Sequence, residues 1–129
     1  MARIKRFEDI ESWKRARKLT QRIYTISSKG RLARDFGLQD QLRRASVSIL
    51  SNIAEGFERG GDKEFVQFLC IAKGSCGEVR AQLYVGLDQG YLSVDEFEDL
   101  STLATEVGQL LFGLIRYLKE SDFRGSRYR

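Results

Sequence analysis

Residues 41–61 read QLRRASVSILSNIAEGFERGG and residues 62–79 read DKEFVQFLCIAKGSCGEV. Small and apolar residues recur at helical spacing on both sides of one glycine pair, Gly60-Gly61. Ahead of the pair, Leu38, Leu42, Ala45, Ile49, Asn52/Ile53 and Gly56 step by three and four; behind it, Phe65, Leu69, Ala72, Cys76, Val79, Leu83 and Gly86 repeat the rhythm. Such spacing gives each helix one buried stripe, so the stretch predicts two helices folded about a hinge. Asp62 is the expected N-cap of the second of them.

The same period continues outward in both directions. Trp13, Ala16, Leu19, Ile23 and Ile26 form a stripe on an earlier helix, with Glu8 and Asp9 in its first turn, where carboxylates favour the positive end of the helix dipole. Gly30 and Gly37 bracket the connection RLARDF, which has room for one extra helical turn. Downstream, Gly90 is placed to cap the third helix. Ser93-Val94-Asp95-Glu96 is a capping box, with Leu92 and Phe97 able to staple it. A fourth helix therefore starts at Val94, with Phe97, Leu100, Ala104, Val107, Leu111, Leu114 and Leu118 as its seam. The expected helices span residues 8–28, 38–57, 62–89 and 94–120, with no strand. Helices of this length with short connections read as an all-α, antiparallel up-down-up-down four-helix bundle of residues 1–121, followed by a polar, flexible tail at 122–129.

Composition agrees with that architecture. The chain has 129 residues, enough for one domain with a sizeable core. Proline is absent and apolar residues make up 42%, as suits long uninterrupted helices. Cys70 and Cys76, six apart, point in different directions on one helix and cannot bridge each other, so both are expected as reduced core thiols. The N-terminus has no apolar stretch of the signal-peptide kind and no segment reaches the ~18 apolar residues of a membrane span. The expected location is cytoplasmic.

The formal charge is +4, unevenly spread. Residues 1–30 carry nine Lys/Arg against three Asp/Glu, whereas residues 91–129 carry five against seven. That polarity can steer a nucleic acid, or serve attraction between helices or subunits. Arg15, Lys18, Arg22 and Lys29 share one face of the first helix, away from its apolar stripe. Arg124, Arg127 and Arg129 with Tyr128 form a basic, aromatic tail suited to phosphates and stacked bases. The alternative is a solvated face, with Glu11 pairing Arg15, and a tail without a ligand.

Other candidates point away from catalysis. Ser46, Asn52 and Glu55 on the second helix and Ser75 and Glu78 on the third form a polar cluster across the hinge. Two carboxylates there can act as acid and base or as metal ligands, or can pair with Arg43, Arg44, Arg59 or Lys73 and fix the bundle's register. A di-iron bundle wants Glu-x-x-His motifs, and the chain has no histidine. The cysteines match no zinc spacing and lack a histidine base. Gly60-Gly61 has no phosphate-loop context. The expectation is no enzyme, no metal and no cofactor.

Apolar surface points to partners instead. Residues 65–72 are apolar nearly all round, and the fourth helix adds Leu103, Leu110, Phe112, Ile115 and Tyr117 to its seam. Either the third helix is central in the monomer or the excess serves self-association, with Phe68, Ile71, Leu103, Leu110 and Tyr117 as candidate interface residues. Gly74, Gly77, Gly86, Gly108 and Gly113 inside helices, each costing about 1 kcal/mol relative to Ala, suggest close helix approach within or between subunits.

Taken together, Gln41-Leu42-Arg43-Arg44-Ala45-Ser46, Ser48-Ile49, Asn52-Ile53-Ala54-Glu55-Gly56, Arg59, Glu64-Phe65, Phe68-Leu69, Ile71-Ala72, Gly74-Ser75 and Glu78 resemble the 23S rRNA-intervening-sequence protein family, bacterial four-helix-bundle proteins. Phe7-Glu8-Asp9-Ile10, Trp13 and Gly90-Tyr91-Leu92 extend the resemblance over nearly the whole chain. One connection departs from it: members carry a Phe-Pro pair and a downstream Glu where residues 28–35 read SKGRLARD. The resemblance implies a ring-shaped homopentamer and brings no catalytic residues. A related branch assists reverse transcriptases of diversity-generating retroelements through a basic surface. The expected function is a non-enzymatic oligomeric scaffold, an accessory protein that binds RNA or DNA; the alternative is an interaction module for another protein.

Overall fold

The computed structural model describes the backbone of residues 4–127 and the side chains of residues 4–121. Four helices, α1 (Glu11–Ser27), α2 (Phe36–Glu58), α3 (Asp62–Asp88) and α4 (Val94–Arg127), form a four-helix bundle with no strand among the described residues. Chain neighbours are spatial neighbours: α2 packs on α3, α3 on α4, and α1 closes the ring against α2 and α4. The core holds the expected seams, including Leu19, Ile23, Leu42, Ile49, Ile53, Leu69, Val79, Leu83, Val107 and Leu111, all sealed from solvent.

The first helix begins later than its pattern suggests. Phe7–Asp9 form one 3-10 turn, and Ile10 then adopts an extended conformation (φ −73°, ψ 125°) that sends its side chain into the core. A second 3-10 turn, Leu32–Arg34, fills the connection before α2, pinned by buried Leu32. Asp35 then caps α2 by accepting the Leu38 N–H at 3.1 Å, and its other oxygen accepts the Tyr91 hydroxyl at 3.0 Å. Arg31 donates to the carbonyls of Gln89 and Gly90 and lies 5.4 Å from the Tyr91 ring centre. The connection that departs from the family pattern is thus tied to the turn between α3 and α4.

That turn closes as its glycine requires. Gly90 has φ 73°, the Tyr91 N–H reaches Gly86 O at 2.9 Å and the Gly90 N–H reaches Leu87 O at 3.0 Å, a Schellman arrangement that satisfies the orphan carbonyls of α3. Ser93 and Glu96 exchange both capping-box bonds, at 2.8 and 3.1 Å. Asp62 is not the cap of α3: Gly61 holds that position without a side-chain bond, and Asp62 sits inside the first turn. Nor does α4 stop near residue 120, because its backbone stays helical to Arg127.

Candidate functional site

The basic face of α1 meets acid. Arg15, placed one turn below Leu19, reaches across to α4 and pairs with Glu106 at 3.0 Å, both side chains being nearly half exposed. Glu11 pairs with Lys14 instead, so the expected Glu11–Arg15 pair does not form. Further along the same edge, Arg22 shares a shallow pocket with Thr25, Ile26 and Leu100 and with two α4 carboxylates, Glu96 and Asp99. Lys18 is exposed between them. Lys29 is exposed beyond the end of α1, which stops at Ser27. The charge polarity of the chain therefore resolves in part within the monomer: cations of the first helix lie against carboxylates of the last. Arg124 and Arg127 fall on α4, but their side chains, and the whole of Tyr128 and Arg129, lie outside the described residues.

The polar cluster divides. Ser75, buried on α3, meets the hydroxyl of Ser48 on α2 at 3.0 Å, and Asn52 donates to the Ser48 carbonyl and hydroxyl at 2.8 and 3.0 Å. Ser46 is not part of this group. It faces α1, where its carbonyl accepts a bond from Thr20 and its own hydroxyl returns to Arg43 O. Glu55 turns outward to Arg59 at 2.8 Å, a bond that raises the guanidinium's affinity for its proton. Glu78 is exposed. Two carboxylates therefore never converge, and the surviving Ser48–Asn52–Ser75 trio is neutral and pins α2 against α3. Ser48 is no candidate by residue type alone; the signal that finds it is its place one turn before Asn52.

The thiols also separate. Cys76 is buried, and that burial pushes its pKa up to about 12 against the pull of Lys73 and Arg80. Cys70, expected in the core, is exposed instead. Among the described residues no group of three or more His, Cys, Asp or Glu is placed to hold a metal ion. Among those residues, too, no helix is long and apolar enough to cross a membrane.

The candidate interface residues take three different positions. Leu103 is 5% exposed and belongs to the core of the bundle, packed with Leu100, Ala104 and Val107 instead of standing on the outer surface. Phe68 is half-buried between helices: it sits over Gly56 of α2 and under the Arg59 guanidinium, 5.2 Å from its ring centre. Ile71, Leu110 and Tyr117 are exposed, at 53, 37 and 44%. Residues 65–72 are thus not buried all round within the chain, since Gln67, Cys70 and Ile71 face out. The glycines likewise split. A Cβ on Gly86 would press on Leu92, whereas one on Gly74, Gly77 or Gly113 would meet nothing within 4 Å.

Residues 8–113 match the family described as 23S rRNA-intervening sequence protein, and the chain belongs to that family. No curated protein matches it. A crystal structure of a protein with unknown function from the S23 ribosomal protein family of Bacteroides thetaiotaomicron VPI-5482 has the same fold, with a TM-score of 0.74 and 22% identity over 81% of this chain and 97% of that one. Neither the family nor this neighbour brings an assigned enzymatic activity.

Proposed function

We propose that this member of the 23S rRNA-intervening sequence protein family is a non-enzymatic scaffold that assembles with copies of itself and presents the repeated cations of the assembly to nucleic acid. The observation that carries the reading is exposed apolar surface in two places. Ile71 and Val85 lie on the outer side of α3, while Leu110 and Tyr117 lie on the α4 edge that also carries Glu106, next to α1. Contacts between two unlike patches are heterologous, and a heterologous contact closes into a ring when its rotation permits. The homopentamer expected from the family resemblance is such a ring.

Light scattering at micromolar concentration tests assembly. A pentamer mass is expected, and Ile71→Glu or Leu110→Glu should lower it with helical circular dichroism unchanged, because both side chains are exposed. A monomer overturns the reading. Nucleic-acid binding is expected to be weak, indifferent to sequence and steeply salt-dependent, since phosphate contacts release counterions.

A second reading, a module for an unidentified protein partner, is favoured by the pairing of Arg15 with Glu106 and the acids beside Arg22, which weaken the field of α1. It takes precedence if the native protein binds neither RNA nor DNA at low salt.

A further inference from the structure

The two flanks of α4 differ in charge. Its α1 edge carries Glu96, Asp99 and Glu106 opposite cations. Its α3 edge borders a groove of about 420 Å³ lined by Lys73, Cys76, Gly77 and Arg80 from α3 and Ala104, Thr105, Gly108, Gln109 and Phe112 from α4. No carboxylate lines that groove, and neither Lys73 nor Arg80 has an ion-pair partner among the described residues. Their charge is unanswered by the described part of the chain.

The shape of the groove follows from two missing side chains. A Cβ on Gly77 would find nothing within 4 Å, and one on Gly108 would only touch Cys76 Cβ at 4.0 Å, so facing glycines leave a pit where helix surfaces ordinarily fill. Phe112, 56% exposed, forms part of the α4 wall, which Gln109 and Thr105 continue one and two turns back along the helix. Lys73 and Arg80 are seven residues apart, roughly 10 Å along the axis at about 1.5 Å per residue. They bracket the pit instead of converging on one point.

We propose that this α3–α4 groove binds a nucleotide unit of single-stranded nucleic acid. A nucleotide within a strand has a phosphate on each side of its sugar, which matches a cation at each end of the pit; the base between them stacks on Phe112, with Gln109 and Thr105 at its edge. The base must be unpaired to enter, so duplex is excluded from the pit. The proposal rests on the nucleic-acid reading above but moves the specific contact from α1 to the opposite flank of α4.

The test is fluorescence anisotropy of a labelled twelve-nucleotide oligouridine with the full chain at low salt. Gly77→Met fills the pit without changing charge, and Phe112→Ala removes the stacking wall; each should weaken strand binding on the order of tenfold while mass and circular dichroism stay as in the parent. Lys73→Gln with Arg80→Gln should flatten the salt dependence by about 1.4 in log–log slope, about 0.7 for each phosphate left without its cation. A hairpin duplex should bind Phe112→Ala and parent alike.

Three outcomes overturn the proposal while leaving the broader reading intact: only Lys18→Gln with Arg22→Gln weakens the strand; uridine monophosphate competes as well as the strand, which makes a free nucleotide the ligand; or Gly77→Met changes the oligomer mass, which makes the groove a subunit contact. Absence of any strand binding by the parent overturns both.

Discussion

Among the described residues the tightest fit around a glycine is at Gly56, and replacing it by alanine probes the packing of α2 on α3 directly. A Cβ there would lie 2.6 Å from Phe68 Cβ, 3.1 Å from Phe65 Cδ1 and 3.3 Å from Phe68 Cγ. Carbon atoms in contact prefer about 3.5–4.0 Å, so the backbones must part by roughly an ångström, because Phe68 Cβ cannot swing away as a chain tip would. Overpacking of this kind costs about 1–3 kcal/mol, and the atom nearest the clash places Gly56→Ala toward the upper end. Alanine's helix propensity returns up to about 1 kcal/mol, which leaves a net loss of about 2 kcal/mol. Gly74→Ala is the internal control. It meets nothing within 4 Å and should gain about 0.5–1 kcal/mol from propensity alone. Urea denaturation at one fixed protein concentration reads both as shifts in midpoint with unchanged slope; the concentration is fixed because assembly would contribute to apparent stability. A Gly56→Ala protein as stable as the parent, or equal losses in the two variants, would refute the close-packing argument.

Further expectations follow from single interactions. Leu111→Ala, at a fully buried site, should cost about 2–5 kcal/mol, and Ser93→Ala about 1 kcal/mol through its cap, both read from urea midpoints. In native protein a thiol reagent at mildly alkaline pH should modify Cys70 quickly and Cys76 only after denaturant, since burial holds Cys76 near pKa 12 and keeps it neutral; equal rates would contradict the burial. The Asp35 bond, then burial and the Asp35 charge, hold the Tyr91 hydroxyl above its ordinary range. The folded state therefore keeps that proton longer than the unfolded one, and the stabilisation is complete below about pH 10 and fades as pH rises past it. Tyr91→Phe should be less stable than the parent near neutrality, with the gap narrowing in strong alkali; a gap independent of pH would contradict the bond.

What sequence alone determined is whatever depends on one chain segment at a time. The three-and-four spacing of Leu42, Ile49, Leu69, Leu83 and Leu111 requires a helix with one buried stripe wherever it occurs, and all of these residues are buried. The Ser93–Glu96 box and the Gly90 cap are equally local, because each bond spans only a few residues. What only tertiary structure decided is which edge of one helix meets which edge of another. Arg15 and Glu106 are 91 positions apart, and nothing in either segment says that the cations of α1 lie against the acids of α4. Leu103 and Leu110 look alike in a seam pattern, yet packing seals one and exposes the other. The glycines make the same point most sharply, since Gly56 and Gly77 are both small residues in helices and differ only in what stands across from them. Phe68 fills the space above one, and the space above the other is the open groove beside Phe112.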